Sequence, residues 1–182
     1  PFDHKGKQPE ESHDEILEKL KALEFPVLFL SSLKSVSFEA EEVTGKYTKK
    51  VTRKVEQGDI TAQWLTLALE LNDGRTAHRL LMFTRNSCSV GYSLGAGGTL
   101  VPIDRPAFCF FPTKEVTNLN FILHAPFLLT DSREGIKAGE KHNQELMRQL
   151  AQLAADSLPL LRDETLIDDG IVEIIPYDAA RF

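Results

Sequence analysis

The sequence predicts an α+β fold, a mostly antiparallel sheet of about six to eight strands packed against two main helices. Three observations predict it. Apolar residues recur at helical spacing in two separate stretches, β-branched and aromatic residues dominate between Lys34 and Pro112, and turn signals interrupt that middle stretch about every ten residues. A chain of 182 residues with 42% hydrophobic content can bury one sizeable core, so a single domain is expected over residues 12–182, preceded by a boundary segment at 1–11.

The first helix is placed at residues 12–23. Ser12 and Glu15 have the spacing of a capping box, and Ile16, Leu17, Leu20 and Leu23 then share one face. Pro26 punctuates it, and the apolar Val27-Leu28-Phe29-Leu30 is too short to separate a buried helical turn from a strand. Strands are expected at 35–40, 47–56, 60–71, 75–84 and 88–94. The pair at 60–71 and 75–84 flanks Asn72-Asp73-Gly74, where Asp-Gly can supply the positive φ of a tight hairpin. A glycine- and proline-bearing loop leads to a strand at 107–111, whose Phe108, Phe110 and Phe111 are expected in the core. An apolar strand at 121–129, broken at Pro126, precedes a second helix at 139–158. There Leu146, Leu150, Leu153 and Ser157 form one stripe, Pro159 marks the end, and residues 171–175 offer a short last strand.

Composition narrows the function. A net charge of −6, from 27 acidic and 21 basic residues, argues against a surface built to neutralise nucleic-acid phosphates. Lys49, Lys50, Arg53 and Lys54 do cluster; they read either as a surface for an anionic ligand or, the plainer reading we favour, as a charged solvated strand. Cys88 and Cys109 sit in apolar stretches and imply no disulfide framework, which fits a reducing, cytoplasmic compartment. No apolar run has the length of a membrane span. His4, His13, His78, His124 and His142 show no metal-ligand spacing with each other or with the cysteines, so no metal site is expected.

Two segments carry candidate chemistry. Gly91-Tyr92-Ser93-Leu94-Gly95 matches the G-x-S-x-G pattern of a nucleophile elbow, with Asp131 and His142 in the right chain order for a triad. The chemistry needs a strand-to-helix turn after the serine, and Ala96-Gly97-Gly98-Thr99 cannot begin a stable helix, so a strand ending in a glycine loop is the better reading. These glycines also lack the spacing of a phosphate-binding loop. The second segment is 125–136, in which an apolar strand delivers Asp131-Ser132-Arg133-Glu134 ahead of a long helix. Such a junction can mount an arginine for an anion on a neighbouring domain; alternatively Ser132 caps a short turn and Arg133 is merely solvated.

Phe108-Cys109-Phe110-Phe111-Pro112-Thr113 followed by the Ser132-Arg133-Glu134 step resembles the middle domain of GHKL ATPases of the Hsp-ninety/HtpG type, and more closely their sacsin-like relatives. The first helix and Val27-Leu28-Phe29-Leu30-Ser31-Ser32-Leu33 resemble the start of that domain, and Pro1-Phe2 would end the preceding one. The resemblance implies a transducer-like domain without its N-terminal ATPase domain, which would be its partner and would hold ATP and magnesium. This segment alone would bind neither. Arg133 would take the role of the arginine that reaches the γ-phosphate, with Lys137 beside it. The family also implies a chaperone-like parent, with a protein client and a homodimeric assembly among its partners. A non-catalytic interaction module using the Phe-rich surface is the alternative, and a serine hydrolase using Ser93 a third.

Overall fold

The computed structural model describes residues 9–23, 25–40 and 43–175, so the expectation for Pro1-Phe2 lies outside the described residues. Helix α1 (Pro9–Lys21) opens the described chain. It starts three residues before the predicted cap, because Pro9 fits a first helical turn, where its missing N–H would be unpaired anyway. Five strands then form a meander: β1 (Ser35–Ala40), β2 (Val43–Gln57), β3 (Ile60–Leu71), β4 (Gly74–Arg85) and β5 (Cys88–Leu94). Four short strands complete the sheet: β6 (Leu100–Val101), β7 (Phe108–Cys109), β8 (Phe111–Pro112) and β9 (Ile122–His124). The spatial order is β1-β2-β3-β4-β5-β9-β7-β8, with β6 on β5, and every pairing is antiparallel except β7 with β9.

Alternation along the strands builds two cores. Leu81, Phe83, Val90, Tyr92 and Leu123 face helix α2 (Lys141–Asp163), which lays Leu146, Leu150, Leu153 and Leu161 across them. Leu65, Leu67, Leu80, Met82 and Ile122 face the other way and are covered by Phe25, Val27 and Leu28. Residues 25–30 are therefore neither helix nor strand but a run of turns whose side chains serve as a lid for the second core. Fixed polar links hold α2 to the sheet: Tyr92 Oη lies 2.9 Å from Ser157 Oγ, and Arg85 reaches Asp156 at 2.7 Å from one branch of its guanidinium and Asp59 at 2.9 Å from its Nε.

Several expectations need correction. The hairpin at 72–73 exists, with Leu71 opposite Gly74, yet Gly74 has no positive φ; Asn72 instead braces β2 by accepting from the Thr44 N–H at 2.9 Å. The predicted strand 107–111 is a tight hairpin turning at Phe110, whose φ is 64°, so Phe108 is buried while Phe110 and Phe111 are exposed. The apolar stretch 121–129 joins the sheet through Ile122–His124, and its Leu129 makes only an isolated bridge to Ile136. Helix α2 runs through Pro159 to Asp163, since Pro159 is exposed and Leu161 continues the buried stripe. Residues 171–174 are one helical turn, α3 (Ile171–Ile174), rather than a strand; its Ile174 is buried in the α2-side core. No helix among the described residues is long and apolar enough to cross a membrane.

Candidate functional site

The segment singled out at 125–136 is a closed loop. Leu129 and Ile136 form an antiparallel bridge, and the Lys137 N–H donates to the Leu128 carbonyl at 2.9 Å. Inside that bridge the Thr130 N–H donates to Gly135 O and the Arg133 N–H to Thr130 O, each at 2.8 Å. Thr130 Oγ1 accepts the Gly135 N–H and lies 3.1 Å from Ser132 Oγ, so Ser132 caps no helix. On the outside, Lys114 ties down Glu134 twice, through its backbone N–H and through an ion pair at 2.8 Å.

Asn143, near the start of α2 and 4% exposed, clamps the base of this loop. Its Oδ1 accepts the Leu128 N–H at 2.8 Å, and its Nδ2 donates to the carbonyls of Leu128 and Lys137, both at 2.9 Å. A primary amide offers two acceptor lone pairs and two donors, and here three bonds fix both ends of one loop to one helix.

The tip is Arg133. Its backbone is left-handed at φ 59°, a conformation costly for a residue with a Cβ and held here by the bonds around it. The side chain is exposed, and among the described residues its guanidinium has no ion pair or hydrogen bond. The nearby charges are engaged elsewhere: Glu134 with Lys114, and Asp131 with Lys137 at 3.8 Å. Arg133 stands on the rim of an apolar groove of about 750 Å³, with Leu30, Phe110, Phe111, Leu128 and Leu129 among its walls. Lys137 is brought to the same loop, but its ammonium faces Asp131.

Ser93 has a different setting. It lies within β5, 9% exposed, opposite Leu80 on one side and Val101 on the other, and the chain continues through a turn into β6 rather than into a helix. Neither candidate partner contacts it: His142 Nε2 is 3.4 Å from Pro126 O, and Asp131 is beside Lys137. The motif's glycines have packing reasons. A Cβ on Gly91 would stand 2.2 Å from Met82 Sδ, and one on Gly95 would press on Val101.

The basic run on β2 divides. Arg53 makes a two-pronged ion pair with Glu164 and lies 4.2 Å over the Trp64 ring, and Lys54 pairs with Glu56. Lys49 donates to the carbonyls of Leu28 and Leu30. The described residues contain no cluster of His, Cys, Asp and Glu able to hold a metal ion.

Sequence reasoning missed two residues. Asn143 stands in phase with the stripe Leu146-Leu150-Leu153, and a polar residue on a buried stripe signals an internal hydrogen bond. His124 ends an apolar strand and is 6% exposed, stacked on Phe29 at 4.1 Å, with both ring nitrogens unpaired. Burial pushes its pKa down to about 4, so the imidazole is neutral.

Compared with protein-family models, curated proteins and solved structures, the chain matches none.

Proposed function

We propose that this chain is a transducer-like middle domain of a chaperone-like GHKL ATPase, of the HtpG or sacsin-like kind, that presents Arg133 to the γ-phosphate of ATP. The ATP and its magnesium would be held by an upstream nucleotide-binding domain of the same cytoplasmic protein, with a protein client and a second copy as further partners. The carrying observation is an unpaired, exposed guanidinium on a loop whose two ends are fixed to α2 by Asn143.

Each part of the loop has a role in this reading. A guanidinium with five donors can meet two phosphate oxygens at once, and its charge offsets the negative charge that phosphoryl transfer spreads over those oxygens. Preorganisation of the loop backbone matters because only the Arg133 side chain then has to order when the nucleotide arrives. Thr130 and Lys137 stand where chaperone relatives carry Asn and Gln. Here Thr130 holds the loop through Gly135, and Lys137 would join the phosphate only by leaving Asp131. The segment therefore senses the nucleotide chiefly through Arg133, and docking of the two domains converts nucleotide state into shape.

In the complete protein, Arg133→Ala should lower ATP turnover by about 10²–10³-fold, the usual cost of losing one charge-stabilising donor. Unchanged turnover and unchanged nucleotide-driven closure, at equal folding stability, would contradict the role.

A second reading has its own observation: Phe110, Phe111 and Leu128 are 46%, 55% and 45% exposed around one groove. Such a surface suits a non-catalytic interaction module. Partner capture lost in Phe111→Ser and indifferent to nucleotide would favour it.

A further inference from the structure

On the face of the sheet away from α2, a second groove of about 480 Å³ is walled by Leu28, Phe29, Ser31 and Lys34 on one side and by β2 to β5 beneath. Its apolar floor is Leu28, Phe29, Leu65 and Met82, and Gln63, Thr84 and Ser89 add polar groups from the strands. Two lysine side chains, Lys34 and Lys49, line this face and no carboxylate does, while Lys50, one position on, alternates to the other face of β2. That is unusual in a chain whose net charge is −6.

Lys49 is the built part of this site. Its side chain is only partly exposed, and its Nζ donates to Leu28 O at 3.1 Å and Leu30 O at 2.9 Å, which uses two of three N–H donors. Its own backbone N–H donates to Lys34 O at 2.7 Å, fixing Lys34 alongside. An ammonium drawn partly out of water with carbonyls but no carboxylate around it lacks a counter-charge. Burial accordingly holds its pKa below the usual lysine value. Lys34 is exposed and forms no ion pair among the described residues, so the groove keeps a positive field within a screening length of about 8–10 Å.

We propose that this groove binds a small amphipathic organic anion, its carboxylate or phosphate head between Lys34 and Lys49 and its apolar body over Phe29, Leu65 and Met82. The volume is that of a small-molecule site rather than of a macromolecular face. The site borders the Arg133 groove along the 29–31 segment but shares none of its lining residues, and the proposal does not rest on the ATP reading.

Titration of the full chain with octanoate, octyl phosphate, octanol and inorganic phosphate, followed by amide shifts in NMR, tests it. Octanoate or octyl phosphate should shift the amides of Lys49, Lys50 and Ser89, and which binds tighter identifies the head group. Octanol and inorganic phosphate should each bind at least about tenfold more weakly, since each offers only half of the chemistry. Lys34→Gln, at an exposed position safe for folding, should lose about fivefold in anion affinity while octanol binding stays the same, and Lys50→Gln, on the other face of β2, should bind as the parent does. Lys54→Gln, on the same strand but outside the groove, should bind as the parent does. Equal binding of octanol and octanoate, undiminished anion binding by Lys34→Gln, or no shift with either anion overturns the proposal.

Discussion

Asn143 replaces a missing strand for Leu128: its side-chain amide accepts the Leu128 N–H and donates to the Leu128 carbonyl, as a paired strand residue's backbone would. A third bond, to Lys137 O, joins the other end of the Arg133 loop. Asn143→Leu keeps the volume and removes all three bonds, taking their partner from the Leu128 N–H and the Lys137 carbonyl while the Leu128 carbonyl keeps the Lys137 N–H. The expected loss is about 2–4 kcal/mol of unfolding free energy, measured by urea denaturation. Amide exchange at Leu128 should quicken in the same variant; unchanged exchange would mean the clamp does not hold the loop.

His124 makes the fold sensitive to acid. Its pKa is about 4 in the folded chain against 6.5 for an unhindered histidine, so the unfolded chain binds the extra proton over that interval. A depressed folded-state value for a histidine means stability that is full above pH 6.5 and falls as pH drops towards 4. About 2.5 pKa units correspond to roughly 3 kcal/mol. His124→Phe, which keeps a ring on Phe29 and removes two unpaired nitrogens, should abolish most of that slope and leave stability at pH 7 equal or higher. A slope of the same size in the variant would assign acid sensitivity to other groups.

Pro159 sits in a continuous helix on the exposed side, so its ring contributes no core contact while its missing N–H interrupts the ladder. Pro159→Ala should stabilise the protein by about 1–3 kcal/mol in thermal or urea unfolding. A loss of stability would mean that the proline sets a bend the core needs.

Tyr92 and Ser157 meet hydroxyl to hydroxyl in the α2-side core, and Ser157 also donates to Ala154 O at 2.7 Å. Tyr92→Phe therefore leaves Ser157 with one partner rather than none. The expected cost is about 1 kcal/mol, and a cost above about 3 kcal/mol would show that the ring itself moves.

Much of the sheet was readable because period-two alternation and turn residues act locally. The strands at 35–40, 60–71 and 88–94 form with the predicted bounds. What failed depended on distant contacts. Pro159 looked like a stop, but its ring is free to face solvent while Leu161 packs on the sheet. Residues 171–175 read as a strand from Ile-Val-Glu-Ile-Ile, yet Ile171–Ile174 coil into one helical turn that buries Ile174. Phe110 and Phe111 looked like core until the chain reversed at Phe110, which turned them outward. At the site, Arg133 was visible through a resemblance of motifs, whereas the loop that holds it depends on Asn143, ten residues on, and on Lys114 from another segment. The basic run on β2 could not be apportioned in advance, because Glu164 and the carbonyls of Leu28 and Leu30 are remote in sequence.

The central claim is that the Arg133 loop meets a nucleotide phosphate. Hydrogen–deuterium exchange of residues 128–137 in the complete protein, with and without a non-hydrolysable ATP analogue and magnesium, tests it most directly. Slower exchange at Ser132, Arg133 and Glu134 with the analogue, absent in Arg133→Ala, is the predicted result; identical exchange in the two states, in a protein shown to bind the analogue, would contradict it.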